Sequence, residues 1–79
     1  MRYVYILQSL KDKSYYTGLT TDVKARLEKH NSGQVAYTST KCPFKMVWHC
    51  CFEDKLKAVS FEKYLKSGSG FAFARKRLV

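Results

Sequence analysis

Between Tyr16 and His30 the chain changes its period. Tyr15 to Leu19 is a short extended segment; from Thr20–Asp22 onward the apolar residues fall at helical spacing. Val23 and Leu27 are four residues apart, as are Arg26 and His30, so each pair stacks on one side of a helix. Steps of three join Val23 to Arg26 and Leu27 to His30. The guanidinium and the imidazole therefore sit at the margin of the apolar stripe rather than on the solvated side. A strand that runs straight into such a helix leaves few architectures open to 79 residues. A chain this short buries only roughly 60% of its unfolded surface. Residues 1–79 are thus expected to form a single domain around a compact aromatic core, for which six Tyr, five Phe and one Trp supply the material.

Upstream, Tyr3-Val4-Tyr5-Ile6-Leu7 is β-branched and aromatic, which reads as a strand. Tyr3, Tyr5 and Leu7 share one of its faces; Val4 and Ile6 share the other. Leu10 to Lys13, containing Asp12, reads as a hairpin turn, and Ser14 to Leu19 as the return strand. With an even-numbered loop and no bulge, Tyr5 and Tyr16 point to the same face. Gly18 lacks a side chain, which leaves room for a close approach to the strand.

The helix is expected over Asp22–Ser32, capped by Thr20 or Thr21, with Asp22 at the positive end of its dipole and Gly33 as its stop. Gln34–Pro43 is polar and reads as a loop. Phe44–Phe52 is expected to be a buried strand. Asp54 caps a second helix reaching Lys66, with Ala58, Phe61 and Leu65 as its core stripe. Ser67-Gly68-Ser69-Gly70 breaks it. Without a following Lys-Ser/Thr pair, those glycines read as a helix end and turn rather than a phosphate cradle. Phe71, Ala74 and Leu78 then give a short third helix. The expected fold class is α+β, a small three-stranded antiparallel sheet flanked by helices in the order β-β-α-β-α-α.

Fifteen Lys and Arg against six Asp and Glu leave a formal charge of +9. Such an excess favours a polyanionic partner, because each neutralised phosphate releases counterions. Nucleic acid is favoured over a membrane surface, since no long basic amphipathic helix is present. Nothing approaches membrane-spanning length. The apolar run Tyr3–Leu7 is too short for a signal peptide and ends at Gln8. Cys42, Cys50 and Cys51 are odd in number and lack Cys-x-x-Cys spacing, which argues against a disulfide framework or a four-ligand zinc site. Free thiols and a cytoplasmic location are expected.

The six carboxylates divide by position. Asp12 is a turn residue. Asp22 and Asp54 start helices, Glu53 lies just outside one, and Glu28 lies off the Val23–Leu27 stripe. Glu62 differs: it is four residues from Ala58 and three from Leu65, on the border of a core stripe, where a carboxylate needs a partner. Lys66 offers one locally. A surface pair of that kind contributes only about 0.3–0.5 kcal/mol, so a plain ion pair and a metal ligand both stay open. Taken singly, the tyrosines read as core with a wet hydroxyl, His30 as a histidine serving the last helical carbonyls, and Arg26 as a solvated arginine.

Taken together and in order, these residues resemble the GIY-YIG nuclease family. Tyr3-Val4-Tyr5 stands at the first motif, with Tyr5 as its tyrosine, and Tyr16-Thr17-Gly18 at the second. Tyr3 occupies the place of the family's Gly, and Thr17 that of its Ile. Arg26 matches the family's arginine, His30 its downstream histidine, and Glu62, in Phe-Glu-Lys-Tyr-Leu-Lys, its metal-binding glutamate. The likeness spans the whole chain and is strongest to the small stand-alone bacterial members, which are similar to the nuclease domain at the front of the excinuclease of DNA excision repair.

The resemblance implies one-metal hydrolysis of phosphodiester bonds in DNA, with RNA as a further substrate class. Tyr5 or Tyr16 would deprotonate the attacking water, His30 would hydrogen-bond a phenol and accept its proton, and Arg26 would hold a phosphate oxygen. Glu62 would bind one Mg²⁺ or Mn²⁺. Lys24, Lys41, Lys66 and Arg75 are the candidates for binding the flanking backbone. Two alternatives stand beside this one. The first is a nucleic-acid-binding module that keeps the fold without turnover. The second is an interaction subunit whose protein partner supplies the targeting.

Overall fold

β1 (Arg2–Ser9) lies between β2 (Tyr15–Thr20) and β3 (Phe44–Phe52) and is antiparallel to both. The computed structural model describes residues 1–36 and 38–79. As the middle strand, β1 is covered on both faces: Val4, Tyr5, Ile6 and Leu7 are each 2% exposed or less. Alternation sends Val4 and Ile6 to one side and Tyr5 and Leu7 to the other. On the first side they meet Ala58 and Leu65 of α2 (Lys55–Lys66) and Ala74 of α3 (Gly68–Arg77). On the second they meet Phe44, together with Val23 and Leu27 of α1 (Val23–Asn31). The fold class is α+β in the order β-β-α-β-α-α, as the sequence implies.

Register makes the two motif tyrosines neighbours. Tyr5 pairs with Gly18 and Leu7 with Tyr16, so Tyr5 and Tyr16 share a face with ring centroids 6.4 Å apart. The hairpin closes with the Ser9 N–H donating to the Ser14 carbonyl at 2.8 Å, and Lys13 takes the turn at φ 65°. Asp12 accepts from the Ser14 N–H and hydroxyl at 2.9 and 2.6 Å. Those two donors hold its carboxyl well below the usual range.

Three local expectations need correction. First, Asp22, not Thr20 or Thr21, caps α1, its Oδ1 accepting from the Ala25 N–H at 3.1 Å. The Thr20 hydroxyl accepts the Asp22 N–H at 3.2 Å and orders the cap instead. Second, β3 is an edge strand in which Phe44 alone is fully buried. Its apolar content serves both sides of the sheet. A bulge sets Trp48 opposite Ile6 and Met46 opposite Leu7, so Val47 and Trp48 both pack toward α2 and α3 while Met46 packs toward α1.

Third, Ser67–Gly70 begins a helix as well as ending one. The Ser67 hydroxyl donates to the Tyr64 carbonyl at 2.6 Å and accepts from the Gly70 N–H at 3.2 Å, closing α2 and opening α3 in one residue. Gly70 is buried directly against the Tyr64 carbonyl, where a Cβ has no room. Phe71, on the expected third helix, is 45% exposed. Within the expected loop Gln34–Pro43, Ala36 and residues 38–41 form turns; Tyr37 lies outside the described residues. Among the described residues, no helix is long and apolar enough to cross a membrane.

Candidate active site

The site grows from the one close approach that Gly18 permits. A Cβ there would run into the Tyr5 hydroxyl, so the bare backbone of β2 lets the Tyr5 ring lie flat beneath it and project toward α1. There Tyr5 Oη meets His30 Nε2 at 3.1 Å. His30 is 0% exposed, so its expected role at the last helical carbonyls is replaced by a core position. Its other nitrogen, Nδ1, lies 2.7 Å from Thr38 Oγ1, and the Thr38 hydroxyl lies 3.4 Å from the Val35 carbonyl. The network orients itself: Tyr5 donates to Nε2, Nδ1–H donates to Thr38, and Thr38 donates to Val35. No buried side-chain nitrogen or oxygen among the described residues is left unsatisfied.

Burial sets the protonation of this chain of bonds. The Tyr5 phenol is pushed up to about 12, chiefly by burial; Tyr16 adds to this, the Arg26 guanidinium opposes it, and the Glu62 charge raises it further. Burial first, then the Arg26 charge, hold the His30 imidazole below its ordinary value. At neutral pH the pair is a neutral phenol bonded to a neutral imidazole.

Two further groups bear on this pair. Arg26 lies one turn before His30 on α1 and acts on both Tyr5 and His30. It is half-buried, and among the described residues it makes no ion pair. Glu62 comes from α2, on the other side of the sheet, yet its charge reaches the Tyr5 phenol. It can do so because α2 packs against both β1 and the edge strand β2. Its Oε2 is 3.0 Å from Lys66 Nζ, with the Glu62 side chain 18% exposed. Lys66 also lies over the Tyr16 ring, 5.8 Å from its centroid. Tyr16 is only half-buried, and its ring centroid is 5.1 Å from that of His30. Tyr16 on the edge strand β2 thus has the buried Tyr5–His30 pair on one side and the Lys66–Glu62 pair on the other, with Arg26 one turn before His30 on α1.

Of the four candidate backbone-binding cations, Lys66 and Arg75 stand beside Tyr16, lining one hollow with it. Lys24 is exposed on α1. Lys41 is engaged elsewhere, 3.4 Å from Asp12 at the hairpin tip. Thr38 and Asn31 carry no signal in the sequence, being polar residues in or beside a polar loop. Asn31 clamps the start of β3, giving its amide to the Phe44 carbonyl at 3.1 Å and accepting the Phe44 N–H at 2.6 Å.

A single carboxylate at a water-accessible rim suits Mg²⁺ or Mn²⁺, which keeps most of its waters and takes one or two protein ligands. Among the described residues no group of three or more His, Cys, Asp or Glu forms a cage for a cation held wholly by protein. Glu62 fits the hydrated ion, once its oxygen is released from Lys66.

A chain of this topology, with paired strand tyrosines, a helix arginine and a later glutamate, is a GIY-YIG protein, a member of a nuclease superfamily; the match to the GIY-YIG catalytic domain spans residues 1–76. Among individual proteins it is similar to the UPF0213 protein of Haloquadratum walsbyi, 44% identical over 66 residues, covering 82% of this chain and 73% of that one. The UPF0213 protein of Clostridium perfringens is 46% identical over 67 residues, covering 84% and 71% respectively. The solution NMR structure of the UPF0213 protein BH0048 from Bacillus halodurans matches with a TM-score of 0.58 at 40% identity, over 99% of this chain and 87% of that chain. These relatives are of the small stand-alone type.

Proposed function

We propose that this protein is a metal-dependent endonuclease that hydrolyses phosphodiester bonds in DNA. The observation that carries the reading is the grouping around Tyr16: its ring centroid lies 6.4 Å from that of Tyr5 and 5.1 Å from that of His30, and Lys66, 3.0 Å from the Glu62 carboxylate, lies 5.8 Å from it. Arg26 from α1 and Glu62 from α2 come from helices on opposite faces of the sheet, and their charges push the Tyr5 phenol in opposite directions.

Burial divides the labour between the tyrosines. Tyr5 is 1% exposed and stays a phenol, so its role is to hold the wall of the site through His30. Tyr16, on the rim strand, is the one that meets water: after losing its own proton to solvent, its phenolate accepts a proton from the attacking water and becomes a phenol again. The Lys66 ammonium near its ring would offset the phenolate charge that precedes this transfer. Arg26 binds a non-bridging phosphate oxygen and opposes charge building at phosphorus. Glu62 holds the divalent ion, which when bound supplies Lewis-acid stabilisation of the leaving oxygen. The three free thiols Cys42, Cys50 and Cys51 fit a reducing, cytoplasmic setting.

The test is nicking of supercoiled plasmid by the purified chain with Mg²⁺ or Mn²⁺. Glu62→Ala is expected to abolish nicking while DNA binding persists. Cleavage that survives in both Glu62→Ala and Arg26→Ala overturns the reading.

A further inference from the structure

Beside Tyr16 the surface opens into a cavity of about 460 Å³ between β2, the end of α2 and α3. Its floor is apolar, formed by Ile6, Leu65 and Ala74. Core packing accounts for that floor but not for the walls. The walls carry Tyr16 from β2, Lys66 from α2, and Phe71 and Arg75 from α3. Phe71 sits at a helical position where a polar residue would be ordinary, and it leaves 45% of its surface in water. The Arg75 guanidinium lies over the Phe71 ring at 5.8 Å, and Lys66 lies over the Tyr16 ring at the same distance. The cavity therefore presents two aromatic rings, each with a cation against it.

That combination has a chemical complement. A flat π-system stacks on the ring, and a phosphate attached to it meets the cation. The volume lies in the range of small-ligand sites and accommodates one nucleotide. A base paired within a duplex is shielded by its neighbours and cannot enter; an unpaired one can. Because Tyr16 is common to this cavity and to the candidate active site, a nucleotide seated here adjoins the linkage presented to that site.

We propose that the cavity receives an unstacked nucleobase next to the scissile linkage, its ring against Phe71 and its phosphates between Lys66 and Arg75, so that the protein takes single-stranded or frayed DNA in preference to intact duplex. The proposal deepens the nuclease reading and rests on it for what is cut, though not for what is bound.

The experiment is a binding measurement without divalent ions, by fluorescence anisotropy in EDTA, on the full chain. A labelled oligothymidylate is compared with a duplex of the same length at one salt concentration. Oligothymidylate is expected to bind more tightly. Phe71→Ala is expected to weaken it by roughly tenfold and to leave the duplex unchanged, while Phe71→Tyr retains the affinity. On the wild-type chain, where no variant can misfold, oligothymidylate is expected to shift the aromatic NMR resonances of Phe71. Equal loss on both nucleic acids, no loss on either, or an unmoved Phe71 resonance overturns the proposal. A chain that nicks plasmid but fails these measurements overturns the cavity alone. One that passes them but cleaves nothing overturns the nuclease reading alone.

Discussion

A methyl group added at Gly18 would occupy the space held by the Tyr5 hydroxyl, which His30 pins from the other side. Gly18→Ala is therefore expected to destabilise the fold by about 1–3 kcal/mol, the usual cost of overpacking, read from chemical denaturation. Thr38→Val leaves the buried His30 Nδ1–H without an acceptor; a loss of about 1–3 kcal/mol is expected in the same measurement. The pH dependence has two limbs of known sign. Unfolded, His30 protonates near 6.5; folded, it resists, because burial and Arg26 disfavour the imidazolium. Its contribution is whole above 6.5 and is lost as pH falls toward the folded value, since only the unfolded chain then takes the proton. Tyr5 gives the opposite limb. Its unfolded phenol ionises at 10.0 and its folded one at about 12, so stability is lost as pH rises through that interval. In thermal melts against pH, His30→Gln is expected to flatten the acid limb and Tyr5→Phe the alkaline one.

At the scale of elements, Ser67 and Gly70 form the corner between α2 and α3. Ser67→Ala removes a cap at both helix ends and is expected to cost about 1 kcal/mol. Gly70→Ala is expected to cost more, because its Cβ meets backbone that cannot rotate aside. Parallel urea titrations of the two variants check the ranking. This corner also marks where sequence reading runs out. Asp54 capping α2 was legible because the cap and the N–H groups of Leu56 and Lys57 are neighbours in the chain. Ser67–Gly70 read as a break because glycine disfavours helix, whereas a tertiary approach to Tyr64 decides the matter. The burial of β3 was overestimated because apolar content cannot tell an edge strand from a central one; only the order β2-β1-β3 does. Tyr5, Tyr16, Arg26, His30 and Glu62 were nameable only through their resemblance, in order, to the motifs of a family, since spacing alone left each with an ordinary structural reading; Gly18 was nameable from its missing side chain. Thr38 was not, since a threonine in a polar loop carries no local sign of the imidazole it meets.

For the whole molecule, charge and size set the terms of binding. The net charge is +9, but the longest dimension is 30 Å, less than one duplex turn of about 34 Å. Few phosphates can be contacted at once. Each one neutralised adds about 0.7 to the slope of log affinity against log salt on a single strand. Arg75→Ala is expected to reduce that slope by roughly one contact, and Lys41→Ala by less, because Asp12 already neutralises Lys41. Salt titrations of oligothymidylate binding check both.

The hydrogen-bonded thread from Tyr5 through His30 to Thr38 lies entirely inside the protein, and it ties loyalty to the fold to two of the side chains of the proposed site, Tyr5 and His30. A chain of this fold without the proposed cleavage would still be obliged to keep them or come apart. Arg26 and Glu62, reaching in from the surface of two separate helices, are under no such obligation. Drift at those two positions is where a silenced lineage would first become visible.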